Sequence, residues 1–354
     1  MNLKNISIAI IGASIGGLSS ANTLQRLGCK IKVFEAFPSS FHNRGGALGA
    51  VDKRLLQIIR PDANYQKEIN SHGHFYGDIW QYLYQGLAKF TVQFDTEINE
   101  VFDPETIKPK LNVNGKLEEF DLIIGADGGS SIIRKYVTDY LPKYAGYTLW
   151  RTLLSTDRID YPPHASRTVN GVLYETLGFA FTGANEEPLW NCGIYMAMPE
   201  SEVQLPTKNR QVSTNNIKKI PQWFLPFVEY LFDKKTLEFW ESAVEFGKVS
   251  PHPIWEFAAE KVVQNRIILL GDASHMASPR TGAGAYTAMT DAVVLEAAFK
   301  QGINIKECLK LYNLNTVARG KGLYDRSRKS AVYFAPANRE IISPKELIYN
   351  VWQN

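Results

Sequence analysis

Three short stretches carry residue types suited to holding a nucleotide. The first is the row of small residues Gly12, Ser14, Gly16 and Gly17, with Glu35 a little further on. A glycine turn that opens a helix presents backbone N–H groups to an anion, and missing side chains let a diphosphate approach them. Gly12 permits the tight turn, Ser14 stands where the middle glycine of a G-x-G-x-x-G string usually is, and Gly17 lets helix pack on strand. A carboxylate at Glu35, at the tip of the next strand, can accept hydrogen bonds from two ribose hydroxyls and would repel a 2′-phosphate. Together they point to an adenosine diphosphate of the FAD or NAD type.

The second stretch is 121–128, where an apolar run ends in Gly125, Ala126, Asp127 and Gly128, with Arg134 after it. Two readings of this stretch stay open: one that places the Asp127 carboxylate in the crevice at the carboxyl edge of a sheet, and one in which it is a turn before a capped helix. The third is 270–292. Asp272 can accept hydrogen bonds from a polyhydroxyl chain, Pro279 can form a rigid wall, and Gly282 and Gly284 lead into a helix. The N-terminus of that helix would stabilise negative charge on the pyrimidine end of a reduced flavin. His275 is either a base or a side chain that holds the turn by hydrogen bonds. No residue is assigned as catalytic and none as a metal ligand, since Cys29, Cys192 and Cys308 lie far apart without ligand spacing.

The elements that must position these residues read as an α/β fold. Residues 6–11 form a nearly continuous apolar run, the pattern of a parallel strand covered on both faces. Apolar residues then recur with helical spacing over 18–27, Gly28 supplies a stop, and 31–35 is the next strand, completing a βαβ unit. Strands are expected at 90–94, 111–113, 120–125 and 266–270 and a helix from about 284. Between 144 and 255 the texture changes to aromatic-rich strands broken by Pro, Asn and Gly, an antiparallel sheet. In 190–198 every second residue is large and apolar, which assigns that set to one face. Tyr174, Phe179, Phe181, Trp190 and Tyr195 are either pocket lining or, more simply, core. The domains expected are 1–143 plus 256–300, a mainly parallel Rossmann-like lobe; 144–255, a second lobe on an antiparallel sheet; and a helical C-terminus at 301–354. The Lys/Arg-studded stretch 319–329 reads as a solvated helix face.

Charge and length narrow the class. Basic residues number 39 against 36 acidic ones with no block of like charge, so no nucleic-acid partner is expected. No apolar stretch approaches the ~20 residues that span a bilayer, and no signal peptide is read at the start, so no integral membrane contact and a cytoplasmic location are expected. The scattered cysteines suit a reducing compartment.

The three motifs, in this order and at these distances, resemble the single-component FAD-dependent aromatic hydroxylases, the para-hydroxybenzoate hydroxylase-like flavoprotein monooxygenases. The stretch 144–151, ending in Trp150 and Arg151, looks most like the dihydroxypyridine hydroxylase branch. The resemblance implies an FAD-binding lobe and a substrate lobe, with Gly12, Ser14, Ile15, Gly17 and Glu35 on the ADP portion. It places Arg44 near the cofactor, Asp127 and Gly128 near the pyrophosphate and NAD(P)H, and Asp272, Pro279, Gly282, Ala283 and Gly284 around the ribityl chain and flavin ring. It further implies hydroxylation of a small aromatic or heteroaromatic substrate with NAD(P)H and O2, by a monomer or homodimer. Alternatives are an FAD enzyme of another reaction type, a reductase or halogenase, and a degenerate binding protein without catalysis. Against the family pattern, 50–90 is short: it lacks a strand pair, and the helix expected at 78–87 has no arginine at its start.

Overall fold

The computed structural model describes residues 3–40, 46–49, 51–64, 74–183, 186–203, 220–247 and 249–352. The chain divides into two compact units, one of Met1–Ile69, Tyr76–Pro142 and Phe257–Asp325, the other of Asn70–Phe75, Lys143–Glu256 and Arg326–Asn354.

The first unit is built on a six-stranded sheet in the order Val263–Gln264, Ile267–Leu269, Leu122–Gly125, Ser7–Ile11, Lys30–Phe34, Val92–Gln93. Every neighbouring pair is parallel except the first. Ile8, Ala9 and Ile10, like Leu122, Ile123, Ile124 and Ile267, Ile268, Leu269, are wholly buried. Such unbroken apolar runs have no polar face to offer water, so both faces must be covered by other elements. The helix Ile15–Arg26 packs against Gly284–Gln301 and against Tyr76–Tyr84. It stops where Gly28 takes φ +87°, a left-handed turn that costs glycine nothing. The expected strand at 90–94 is cut to Val92–Gln93, because Phe90 is 92 % exposed at φ 64° and turns into the strand rather than entering it.

The second unit is built on an antiparallel sheet in which the strands Ala165–Val169, Val172–Thr182, Pro188–Ala197, Lys143–Ser155 and Ser250–Ala258 are successive neighbours. The alternation read at 190–198 is realised. Cys192, Ile194, Met196 and Met198 join Trp150, Tyr174 and the helices Phe224–Leu231 and Lys234–Phe246 in one core. The other face carries Tyr147, Leu149, Tyr195 and Ile254 against Ala331, Phe334 and Ala335. Tyr174 and Phe181 are thus buried core. The helix Ile305–Phe334 contributes residues to 325 to the first unit and from 326 to the second. Its basic stretch is not simply solvated: Arg319 pairs with Asp291, and Arg328 Nη1 lies 2.7 Å from the buried Glu256 carboxylate. A charge aligned with a buried acid is drawn out of water by it, which a count of basic residues does not reveal.

Candidate functional site

Register brings the three motifs of the first unit to one edge. Ile11 pairs with Phe34 on one side and Gly125 on the other, and Gly125 pairs with Leu269. The turns that begin at Gly12, Ala126 and Leu270, together with Glu35, therefore all leave the sheet at its carboxyl edge, where doubly wound sheets bind ligands.

In the first turn Gly12 has φ +102°, and a Cβ there would lie 2.4 Å from the Ala126 carbonyl oxygen. A Cβ on Gly17 would lie 1.9 Å from the Gly12 oxygen. These two glycines let strand, turn and helix touch backbone to backbone. Ser14 is the N-cap of Ile15–Arg26 in extended geometry, and the first backbone bond back to it is from Leu18 N–H to the Ser14 oxygen at 2.9 Å. The N–H groups of Ile15, Gly16 and Gly17 precede that bond and head the helix dipole. Glu35 is 6 % exposed and accepts from Ala13 N–H at 2.8 Å and Phe37 N–H at 3.0 Å, one through each oxygen. Two of a carboxylate's roughly four acceptor sites are thereby used.

Asp127 closes its own turn by hydrogen bonds, while the short helix after it is capped by Ile133 with no side-chain bond. Asp127 Oδ1 accepts from Ser131 Oγ at 2.5 Å and its Oδ2 from Ile132 N–H at 2.8 Å, just ahead of the short turn Arg134–Tyr136. Gly128, at φ +78°, has nothing within 4 Å of where a Cβ would stand. Arg134 is 4 % exposed and joins two of the motifs: Nη1 donates to the Gly129 oxygen at 2.7 Å, Nε to Ala273 at 3.0 Å and Nη2 to Asp272 at 3.0 Å. Burial lowers its pKa to about 10, partly opposed by Asp127 and Asp272, so it stays cationic at neutral pH.

In the third stretch Asp272 and Pro279 are exposed. The protein packed around Asp272 raises its pKa by desolvation, although the residue is exposed. Gly282 takes φ +62° and Ala283 caps the helix Gly284–Gln301, with Thr287 N–H the first to bond back to Ala283. A Cβ on Gly284 would meet nothing within 4 Å. Between the two readings of His275, the structure favours the hydrogen-bonded one. Its Nε2 lies 2.8 Å from Asp291 Oδ2, which also accepts from Gly271 N–H at 2.9 Å, while Asp291 Oδ1 pairs with Arg319. Desolvation works against the charge on both groups, but the pairing wins: His275 is held above its ordinary value and Asp291 below.

A sequence profile of the FAD binding domain family matches residues 79–327. The chain belongs to this family. It is 25 % identical over 358 residues, covering 88 % of each chain, to 6-hydroxynicotinate 3-monooxygenase of Pseudomonas fluorescens. It is 22 % identical to 2,6-dihydroxypyridine 3-monooxygenase of Paenarthrobacter nicotinovorans, over 92 % of this chain and 90 % of that one. The solved 2,6-dihydroxypyridine-3-hydroxylase from Arthrobacter nicotinovorans has the same fold, with a TM-score of 0.74 at 20 % identity over 96 % of both chains. The resemblance drawn from the three motifs, and the α/β class with its second antiparallel sheet, are borne out.

For this FAD binding domain protein, the residues present suit the cofactor. Two helix N-termini and a buried guanidinium lie along one sheet edge, and Gly128 and Gly284 leave open space there. Arg44 lies outside the described residues, as do 50 and 65–73 of the shortened 50–90 stretch, whose described part holds the helix Lys53–Ile59 and the short strand His74–Phe75. The helix expected at 78–87 spans Tyr76–Tyr84, and two of its side chains were missed in the sequence. Tyr76 Oη lies 2.9 Å from Ser14 Oγ, and Trp80 Nε1 donates to the Ala13 oxygen at 2.7 Å. Aromatic residues on a short amphipathic helix look like core, and nothing in their spacing shows that they brace a turn sixty residues earlier. Asp291 had a signal: an acid on an otherwise apolar helix face is buried with partners or not at all.

Among the described residues no group of three or more His, Cys, Asp or Glu could hold a metal, and no helix is long and apolar enough to cross a membrane.

Proposed function

We propose that the protein is an FAD-dependent monooxygenase that hydroxylates a small heteroaromatic ring with NAD(P)H and O2. The balance is one ring C–H converted to C–OH, with NAD(P)H and a proton consumed and the second oxygen atom leaving as water. The observation that carries this reading is the convergence of three turns and two helix N-termini on one carboxyl edge, in a chain of this family. The names of the relatives supply the heteroaromatic substrate class.

FAD, when bound, supplies the electron transfer and the activation of oxygen; the chain binds, orients and excludes water. The N–H groups of Ile15 and Gly17, with Gly12 and Ser14 in the turn, hold the pyrophosphate, and the free acceptor sites of Glu35 take the ribose hydroxyls. Asp272 accepts from the ribityl chain, Pro279 walls the ring, and the N–H groups that open the helix at Gly284 stabilise charge on its pyrimidine end, with Gly282 and Ala283, whose own N–H groups bond to Pro279 and Thr281, shaping the turn before it. Asp127 holds the second turn in shape, so that Gly128 and Arg134 bring bare backbone and positive charge to the same edge. Arg44 is assigned to the cofactor by the family resemblance alone.

Purified protein should be yellow, and a panel of hydroxypyridines and related rings should stimulate NAD(P)H consumption with one oxygen atom incorporated. Colourless protein that takes up no FAD would sink the reading. NAD(P)H turnover without a hydroxylated product on any ring would move it to another reaction type.

A further inference from the structure

The second unit holds a cationic group that the cofactor site does not use. Arg151 lies on the sheet face opposite the Trp150 core, in register with Gly193 on one neighbour and Ser250 on the other. Its Nε and Nη2 donate to the same oxygen, Asn191 Oδ1, at 2.8 and 2.6 Å. That neutral amide holds one edge of the guanidinium and leaves the Nη1 side of the fork. Among the described residues no carboxylate pairs with Arg151; Glu175, two strands away and opposite Tyr195, forms no ion pair with it.

The next row of the same face carries His252, Leu149 and Tyr195 in register. His252 Nε2 lies 3.1 Å from Ser250 Oγ, and burial together with the Arg151 charge lowers its pKa to about 4, so it is neutral at physiological pH. The Tyr195 phenol is buried and its pKa is raised, with Arg151 partly opposing the shift, so it too is neutral. Leu149, 8 % exposed, folds over Gly193, the residue in register with Arg151, and adds an apolar side chain to this face.

A desolvated guanidinium held by a neutral amide, among neutral hydrogen-bonding groups, lacks the anion that would offset its desolvation. Its planar fork matches an oxyanion bidentately. The geometry points to Arg151 as the anchor for a negatively charged oxygen on the aromatic substrate, with Asn191 orienting the fork and His252 and Tyr195 beside it. This rests on the hydroxylase reading and narrows its substrate to an aromatic anion, whose charge is either a carboxylate or an ionised ring hydroxyl.

The test uses the FAD-loaded enzyme and reads binding from the flavin absorbance change on titration. Two matched pairs separate the sources of charge: a hydroxypyridine carboxylate against its carboxamide, and a dihydroxypyridine against its O-methyl ether. Wild type should bind the anion of at least one pair about tenfold or more tightly than its neutral partner. Arg151→Met should erase that preference while FAD content stays at the wild-type level, and Arg151→Lys should keep part of it. No preference in the wild type, whether from equal binding or from no binding in both pairs, overturns the assignment, as does a preference that survives Arg151→Met. Should Arg151→Met fail to fold, the wild-type comparison and Asn191→Ala, expected to weaken the preference, still decide. Loss of FAD uptake by the wild type would instead overturn the hydroxylase reading itself.

Discussion

At the scale of single residues, Glu35 carries two loads. Its oxygens accept from Ala13 and Phe37 N–H, which shapes the turn, and the remaining acceptor sites are the ones proposed for the ribose. Glu35→Ala should weaken FAD binding by ~1.5–3 kcal/mol, the scale of hydrogen bonds to a charged group. Quenching of flavin fluorescence on titration measures this, and unchanged affinity would show the ribose assignment wrong. Glycine at position 12 is a different kind of constraint. Gly12→Ala places a methyl group 2.4 Å from a backbone oxygen at φ +102°, so both a clash and backbone strain follow. Strain of this kind alone costs roughly 1–3 kcal/mol. Thermal unfolding of the apoprotein should show the loss before any cofactor is added, which separates it from the Glu35 effect.

At the scale of elements, the His275, Asp291 and Arg319 cluster ties the turn after the Ile267–Leu269 strand to two helices. Its pH dependence follows from the directions of the two shifts. His275 is raised above its ordinary 6.5, so its contribution is complete below that value and is lost as pH rises through the folded pKa. Asp291 is lowered from 3.8, so its contribution is complete above that value and is lost as pH falls through the folded pKa. Both are fully present in the window between. Asp291→Asn leaves the buried His275 and the partly buried Arg319 without their acid and should cost about 3–5 kcal/mol. Stability curves in denaturant from pH 4 to 9 should show the alkaline decline of the wild type flatten in the variant. A variant that keeps the wild-type slope would place the titrating group elsewhere. Tyr76 is a milder element-level case. Tyr76→Phe removes one hydroxyl from Ser14 and should cost about 0.5–1.5 kcal/mol, read by thermal unfolding.

At the scale of the whole molecule, a cofactor held by three separated turns, as proposed, would tie distant parts of the chain into one folded state. Bound FAD stabilises that state by mass action, about 2.7 kcal/mol at a hundredfold excess over Kd. Adding FAD to the apoprotein should therefore raise Tm, and an unchanged Tm at saturating FAD would exclude the site. How much of this was legible in the sequence differs by level. The buried parallel strands and their glycine turns were readable, because apolar runs that end in Gly12, Gly125 and Gly271 depend only on local pattern. The boundaries were less so: Phe90 looked like strand until its exposed, positive-φ turn was seen. The choice between readings of Asp127 and His275 was not local at all, since it turned on which donors stood within 3 Å. Tyr76 against Ser14, Arg134 across two loops and Arg319 on Asp291 join residues far apart in the chain, and no periodicity encodes such a pairing. Sequence alone thus determined the fold class and which turns could bear a nucleotide, because strand burial and glycine turns are properties of neighbours along the chain. Only the tertiary structure decided which side chains brace those turns and where an unpaired guanidinium stands, because hydrogen bonds and charge compensation are properties of neighbours in space.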